Sequence, residues 1–345
     1  MIRSLVRSNK TALIFIASLP LLSWLSNYVD RYYFMILMLV GIHVILATSL
    51  NLVTGITGQF SLGHAGFMAV GAYVSASITY YIGKAWMEPA LAGMPPMGAT
   101  VIRQAFFFVA LGVGGLSSAL CGWLVGLPSL RLRGDYLAIV TLGFGEIIRV
   151  LILNMDAIGG ARGFPDIPQY TNFAWLFTIV AFTIFVMVRL VHSAYGRALL
   201  AVREDEIAAE SVGVSTTRFK VMAFVISAFF AGLAGGLFAH FYSYINPSTF
   251  SFLKSFEIVT MVVLGGMGSF SGSIVAAFVL TILPEALRPL QEFTKTDFRM
   301  VIYSFLLIVM MLTRPNGLFG KHEIGYLLRL AWRKLFSRRL AAGRT

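Results

Sequence analysis

Long apolar runs separated by short polar connectors dominate the chain. Runs of spanning length fall at about residues 11–27, 32–53, 60–82, 105–127, 136–154, 173–191, 220–242 and 298–313. A helix needs roughly 20 apolar residues to cross about 30 Å of hydrocarbon. None of the runs shows the period-two alternation of an outer-membrane barrel strand, and a helix satisfies all its backbone groups within one segment. A further apolar region, 257–287, is cut by "GGMGSFSG" at 265–272, which leaves two arms too short to cross alone. The pattern predicts an all-α integral membrane protein, a polytopic helical bundle of about 8–10 transmembrane elements with broken or re-entrant segments.

Composition strengthens this reading. The chain is 58% hydrophobic and 12% charged, with mean hydropathy +0.81, where soluble domains carry about a quarter charged residues. The net charge of +12 invites a nucleic-acid reading, but its distribution argues for topology. Arg314, Lys321, Arg329, Arg333, Lys334, Arg338, Arg339 and Arg344 face a single acid, Glu323, in the last stretch, and Arg3, Arg7 and Lys10 precede the first run. Basic flanks beside apolar spans mark the cytoplasmic side, so both termini are expected there. The basic stretch and "TALIFIASLPLLSWL" resemble a signal peptide without its cleavage site and are expected to be a retained helix. Residues 1–320 form one transmembrane domain in this reading, and 321–345 a basic cytoplasmic tail.

Orientation then constrains the connectors. Residues 54–59, "PSLRLRG" at 128–134 and the long polar loop 192–219 fall inside. The span ending near Tyr244 finishes outside and that at 298–313 must run inward. Region 257–287 must therefore begin and end on the outer face.

The chemistry of soluble enzymes is missing from the sequence. There is no G-x-x-x-x-G-K-[ST] phosphate loop and no Gly-x-Ser-x-Gly. The histidines His43, His64, His192, His240 and His322 show no metal spacing, and Cys121 is the one cysteine. No catalytic residue, metal or cofactor is expected.

Polar residues inside apolar runs stand out instead. "NLVTGITGQFSLGHAGFMAVGAY", 51–73, carries five glycines together with Asn51, Gln59, Ser61 and His64. Small residues allow close helix packing, with His64 hydrogen-bonded inside the bundle. Unwound backbone at membrane depth also survives where it lines a wet cavity. On that second reading Gly55, Gly58, Gln59, Ser61, Gly63 and His64 border a translocation path. Glu146 lies in an apolar span with Arg149 three residues on, either a self-neutralising pair or part of the path. Gly265, Gly266 and Gly268, in "LGGMGSFSGS", mark either a plain turn or a second broken element beside the first. In the loop "GRALLAVREDEIAAESVGVSTTRFKVMAF", 199–212 reads as an amphipathic helix with acids toward its front and Gly213 as its C-terminal cap. A short helix parked between two spans suggests a docking element.

Four stretches carry a resemblance: "NLVTGITGQFSLGHAGFMAVGAY", "RLRGDYLAIVTLGFGEIIR", the loop and span from Gly196 to His240, and "VVLGGMGSFSGSIVAAF". In this order, over roughly residues 40–320, the chain resembles the LivM-type permease subunits of branched-chain amino acid ABC importers. The resemblance implies a heterodimer with a sister permease, two cytoplasmic ATP-binding subunits and a periplasmic substrate-binding protein, in the lipid of a bacterial inner membrane. ATP would then be bound by the partners. Loop 192–219 would couple to an ATPase through Arg203, Glu204, Asp205, Glu206, Ala208, Ala209, Glu210 and Gly213. Importer permeases often read E-A-A-x-x-x-G there; here Ile207 stands at the Glu position and Glu206 one place early. A second departure is "AIGGARGFPDIP", 157–168, where Ile158 and Arg162 stand near the usual Thr and Asn.

Two further readings stand beside this one. Related importers carry urea or short amides. A self-sufficient secondary carrier would need a mid-membrane carboxylate, and Glu146 is the one available. An intramembrane enzyme would need a polar cluster that the spans do not show.

Overall fold

The computed structural model describes residues 30–91, 93–129 and 135–288, with a few positions between 304 and 320. The spans expected at 11–27 and, for most of its length, 298–313 lie outside the described residues, as does the tail 321–345.

Among the described residues, six helices are long and apolar enough to cross a membrane. Helix α1 (Arg31–Asn51) continues through a wider π turn, Leu52–Ile56. Helix α2 (His64–Ser77) runs on through wide turns to Leu91. Helices α3 (Pro96–Ser129), α4 (Asp135–Leu153), α5 (Phe173–Val191) and α8 (Thr216–Tyr242) complete the set. Pro96 starts α3 well ahead of the predicted 105, since a proline at the first helical position forfeits no hydrogen bond. Asn172 fixes the start of α5, its side chain accepting from the Trp175 N–H at 3.0 Å.

Helices α2, α3 and α8 pack most closely. Gly71 abuts Gly232, and Gly235 lies against the Met68 carbonyl, so a side-chain carbon at either would overlap backbone. Ser118 Oγ donates to the Phe67 carbonyl at 2.8 Å, joining α3 to α2. Helix α1 packs against α8 of this trio and also against α5 and two later helices.

Those last two are the interrupted region. Helix α9 (Phe252–Gly265) and helix α10 (Phe270–Ala286) form a hairpin broken at Gly266–Ser269. Gly268 sits beside Arg203 of the long polar loop, while Glu285 near the end of α10 accepts from Tyr32 at the start of α1. The hairpin therefore turns on the face that carries the loop, called here the loop face, and begins and ends toward the far face, as connectivity required. The far face is closed by an antiparallel bridge between Phe164 and Ile245.

One expectation is corrected. The loop holds two helices, α6 (Ala194–Glu204) and α7 (Glu206–Ser211), in place of one over 199–212. Asp205 separates them: its extended backbone ends α6, and its carboxylate accepts from the Ile207 and Ala208 N–H groups to open α7. The side chain satisfies N–H groups that a continuous helix would have bonded internally.

Candidate functional site

Between α1 and α2 the chain unwinds over Thr57–Gly63 and re-enters the bundle. Ser49, seven residues before Ile56 and so about 10 Å in from the loop face at 1.5 Å per residue, meets His64 at 3.0 Å. Ser49 Oγ donates to the Leu46 carbonyl, so His64 Nε2 is the donor to Ser49. Helix α2 thus starts inside the bundle. Its unwound lead is bonded on both sides: Gln59 N–H to the Val53 carbonyl, Leu62 N–H to Thr141 Oγ1 of α4, and Ala65 N–H to Ser255 Oγ of α9. Gly63 lies against the Thr141 carbonyl, where a larger residue could not fit.

Gln59, Ser61, Gly63 and His64 are all buried here. The bundled, hydrogen-bonded reading of His64 therefore describes this conformer, and the unwinding predicted around Gly58–Gly63 is present as well. Two acceptors, Gln59 Oε1 in the stretch and Thr54 Oγ1 in the π turn before it, are buried with no protein partner among the described residues.

At the loop face the two glycine elements, far apart in the sequence, meet. Asn51 joins them: its Oδ1 accepts from the Gly268 N–H at 2.9 Å, and its Nδ2 donates to the Ser269 carbonyl and Ser273 Oγ, each at 2.9 Å. Gly55 lies against Gly268, and Gly265 against Gly272. Gly58 and Gly268 hold positive φ, +76° and +94°, which a glycine adopts at no steric cost. Onto this junction comes Arg203 from the end of α6, its Nη1 donating to the Gly55 carbonyl at 2.9 Å.

The rest of the loop is bolted to α8. Glu206 binds Lys220 at 2.6 Å and Glu210 accepts from Thr216 Oγ1 at 2.6 Å. Glu206, one place early for the motif, is thereby turned inward. Ala209 is buried, Ala208 and Gly213 are exposed, and Ile207 and Val212 stand in the open at 69% and 78% exposure.

Glu146 stands apart from the junction. Its Oε2 pairs with Arg149 at 2.7 Å, and its Oε1 accepts from the Phe252 N–H at the start of α9, at 3.2 Å. The ion pair with Arg149 is present, and the same carboxylate also caps α9. A second polar group escaped sequence reasoning. Lys254 Nζ donates to His43 Nε2 at 2.7 Å and pairs with Glu257 at 2.9 Å. His43 Nδ1 then faces Thr281 Oγ1 at 2.7 Å, which passes the donation on to the Ala277 carbonyl. The i,i+3 spacing of Lys254 and Glu257, the same as that of Glu146 and Arg149, was the signal for it. Among the described residues, no group of three metal-ligating side chains forms.

The comparisons point one way. The family model described as branched-chain amino acid transport system, permease component, matches residues 32–311. The chain is 39% identical, over 80% of its own length and 67% of the relative's, to the high-affinity branched-chain amino acid transport system permease protein LivM of Salmonella typhimurium. The LivM protein of Escherichia coli is 38% identical over the same shares. The LivH permease protein of Escherichia coli is 29% identical over 82% of this chain and 92% of its own. No solved structure matches.

Proposed function

This multi-pass membrane chain belongs to the permease-component family of branched-chain amino acid transport systems, and from that premise we propose that it is the LivM-type permease subunit of an ABC importer. It carries branched-chain, hydrophobic amino acids across a bacterial inner membrane, with both termini cytoplasmic. Its partners are a sister permease, two ATP-binding subunits and a periplasmic substrate-binding protein, and the energy of ATP reaches it through them. The chain itself does no catalysis.

The observation that carries the reading is the shape of 192–215. A short helix, α7, is tied to α8 by Glu206 and Glu210, and two apolar side chains, Ile207 on it and Val212 directly after it, stand exposed at the loop face. Exposed apolar side chains on a rigid element are what a protein partner's groove can bury. The departure from the E-A-A pattern fits this view, because the position facing out is Ile207. ATP binding would move α6 and α7 as one element and repack the bundle between two arrangements. Substrate selection rests mainly with the binding protein, so the path needs few charges. Relatives of both sister types name branched-chain amino acids, which favours that cargo over urea or short amides.

Affinity purification of the chain from its native membrane in mild detergent tests the reading. The sister permease and ATP-binding subunits are expected to come with it, and ATP hydrolysis with them. Ile207→Asp together with Val212→Asp is expected to strip the ATP-binding subunits while the chain stays inserted and monodisperse. Unchanged recovery of those subunits would remove α7 from the interface.

A further inference from the structure

We propose that Arg203 is the mechanical link between the coupling segment and both broken elements: a positioning residue that ties movement of α6 to the ends of α1 and α9. The inference rests on the importer reading above and assigns that segment's output.

Three observations converge on this side chain. Its guanidinium is oriented by its neighbour, Nε and Nη2 donating to Glu204 Oε1 at 3.1 and 2.6 Å, which leaves Nη1 aimed at the Gly55 carbonyl. A planar fork with fixed donors holds such a direction where a flexible ammonium would not. Its aliphatic stem lies on Gly58, where an added Cβ would stand 2.9 Å from Arg203 Cγ. Its Nη1 lies over Gly268, where a Cβ would stand 3.1 Å away. Glycines on both sides make room for it.

The electrostatics agree. The last carbonyls of a helix carry partial negative charge and lack intrahelical donors. Gly55 is such a position at the end of α1, and Gly266–Gly268 follow the end of α9 directly. One cation thus binds the C-terminal end of α1 directly and lies beside the residues that follow α9. Asn51 already binds those ends to each other, so a pull on Gly55 is a pull on the hairpin break. On its other side Arg203 belongs to the α6–α7 unit, fixed to α8 through Glu206 and Glu210. The unwound stretch fed by Gly55 runs on to Ser61 and His64; among the described residues, Gln59 Oε1 within it and Thr54 Oγ1 in the π turn before it are buried acceptors without partners. A second arrangement of the stretch has hydrogen bonds to gain.

The test uses the whole complex in proteoliposomes, with uptake of radiolabelled leucine and ATP hydrolysis read in the same vesicles. Arg203→Ala is expected to assemble and to hydrolyse ATP, while uptake per ATP falls roughly tenfold or more, within the usual range of coupling between sites. Arg203→Lys, able to reach Gly55 without the Glu204 fork, is expected to fall between them. Unchanged uptake per ATP in Arg203→Ala overturns the link. Should that variant fail to assemble, the wild-type arrangement decides. Spin labels at the exposed positions Arg197 and Met267, in a Cys121→Ala background, report whether α6 and the break move together. Their separation is expected to stay constant between nucleotide-free and vanadate-trapped complexes. A change of about 5 Å, one helical turn, would show that they move independently and would also overturn the link. A wild-type complex that imports several other solutes but no leucine would change the cargo and leave the link standing. A wild-type complex with no ATP-driven uptake would overturn the importer reading, and the link with it.

Discussion

In the α2/α3/α8 trio, Gly71 meets Gly232 and Gly235 meets the Met68 carbonyl, all within regular helix. At the loop face, Gly58 and Gly268 stand between helices at positive φ, next to polar side chains that hold the gap together. The same residue type serves two physical ends. In the trio, absence of a side chain brings backbones into van der Waals contact, and without a hydrophobic driving force inside lipid that contact is what binds helices. At the junction, absence of a side chain lets the chain turn where an L residue would be strained and lets Arg203 in. One set builds a scaffold and the other leaves a place that can rearrange. The scaffold buries mostly Ala, Gly, Phe and Leu; the junction buries Asn51, Ser269 and Ser273 in hydrogen bonds that can be exchanged.

The contrast breaks most visibly at Gly71. Gly71→Val places branched carbons on the Gly232 backbone, which is itself held in helix α8. Overpacking costs about 1–3 kcal/mol where neighbours can give, and backbone gives less, so about 3 kcal/mol or more is expected. Size-exclusion profiles and melting in detergent would show a lost or broadened folded peak. A melting temperature within about 1 °C of wild type, less than one kcal/mol's worth for a chain of this length, would mean that the trio is looser than its contacts suggest.

At the junction the same test should give the opposite pattern. Gly268→Ala forces a methyl group into a φ of +94°, a strain of order 1–2 kcal/mol, and sets it 3.1 Å from Arg203 Nη1. Most of that cost falls on a local break, so the chain is expected to purify with its partners and melt close to wild type. Leucine uptake should fall severalfold. A variant that loses its fold and keeps its residual uptake per folded molecule would place Gly268 with the scaffold.

How far these roles were legible in the sequence differs between the two regions. Periodicity and length placed α1, α4, α5 and α8 to within a few residues, because a span must be long and apolar whatever it packs against. The broken hairpin followed from connectivity, since α9 and α10 had to start and end on one side. The unwinding before His64 was visible as glycines with polar residues in an apolar run. What the sequence did not carry was partnership. Asn51 reaches Gly268 and Ser273 across more than two hundred positions, and Lys254 reaches His43 from another helix. Hydrogen bonds between distant segments leave no periodic trace. The division of the loop at Asp205 was missed for a related reason: a cap and an interior acid look alike until the backbone turns.

The smallest expected effect sharpens the comparison where scaffold and hairpin touch. Helix α4 is packed into the scaffold through Gly145, which lies against Gly66 of α2, and its next residue, Glu146, accepts from the first N–H of α9. Glu146→Gln removes the charge and keeps an oxygen to accept that N–H. The ion pair with Arg149 is about one-third exposed on both sides, and exposed pairs contribute about 0–1 kcal/mol. Stability is therefore expected to change by a few tenths of a kcal/mol, and uptake by less than twofold. Glu146→Leu, which also removes the acceptor, frees the start of α9 and is expected to raise hydrogen exchange at Phe252 and the residues after it. If Gln behaves like Leu, charge at the helix N-terminus holds α9 to the scaffold, as its dipole would allow. If Gln behaves like wild type, the hydrogen bond alone does so. A large uptake defect in Glu146→Gln with the fold intact would return Glu146 to the path, and the boundary between scaffold and moving hairpin would have to be drawn through α4.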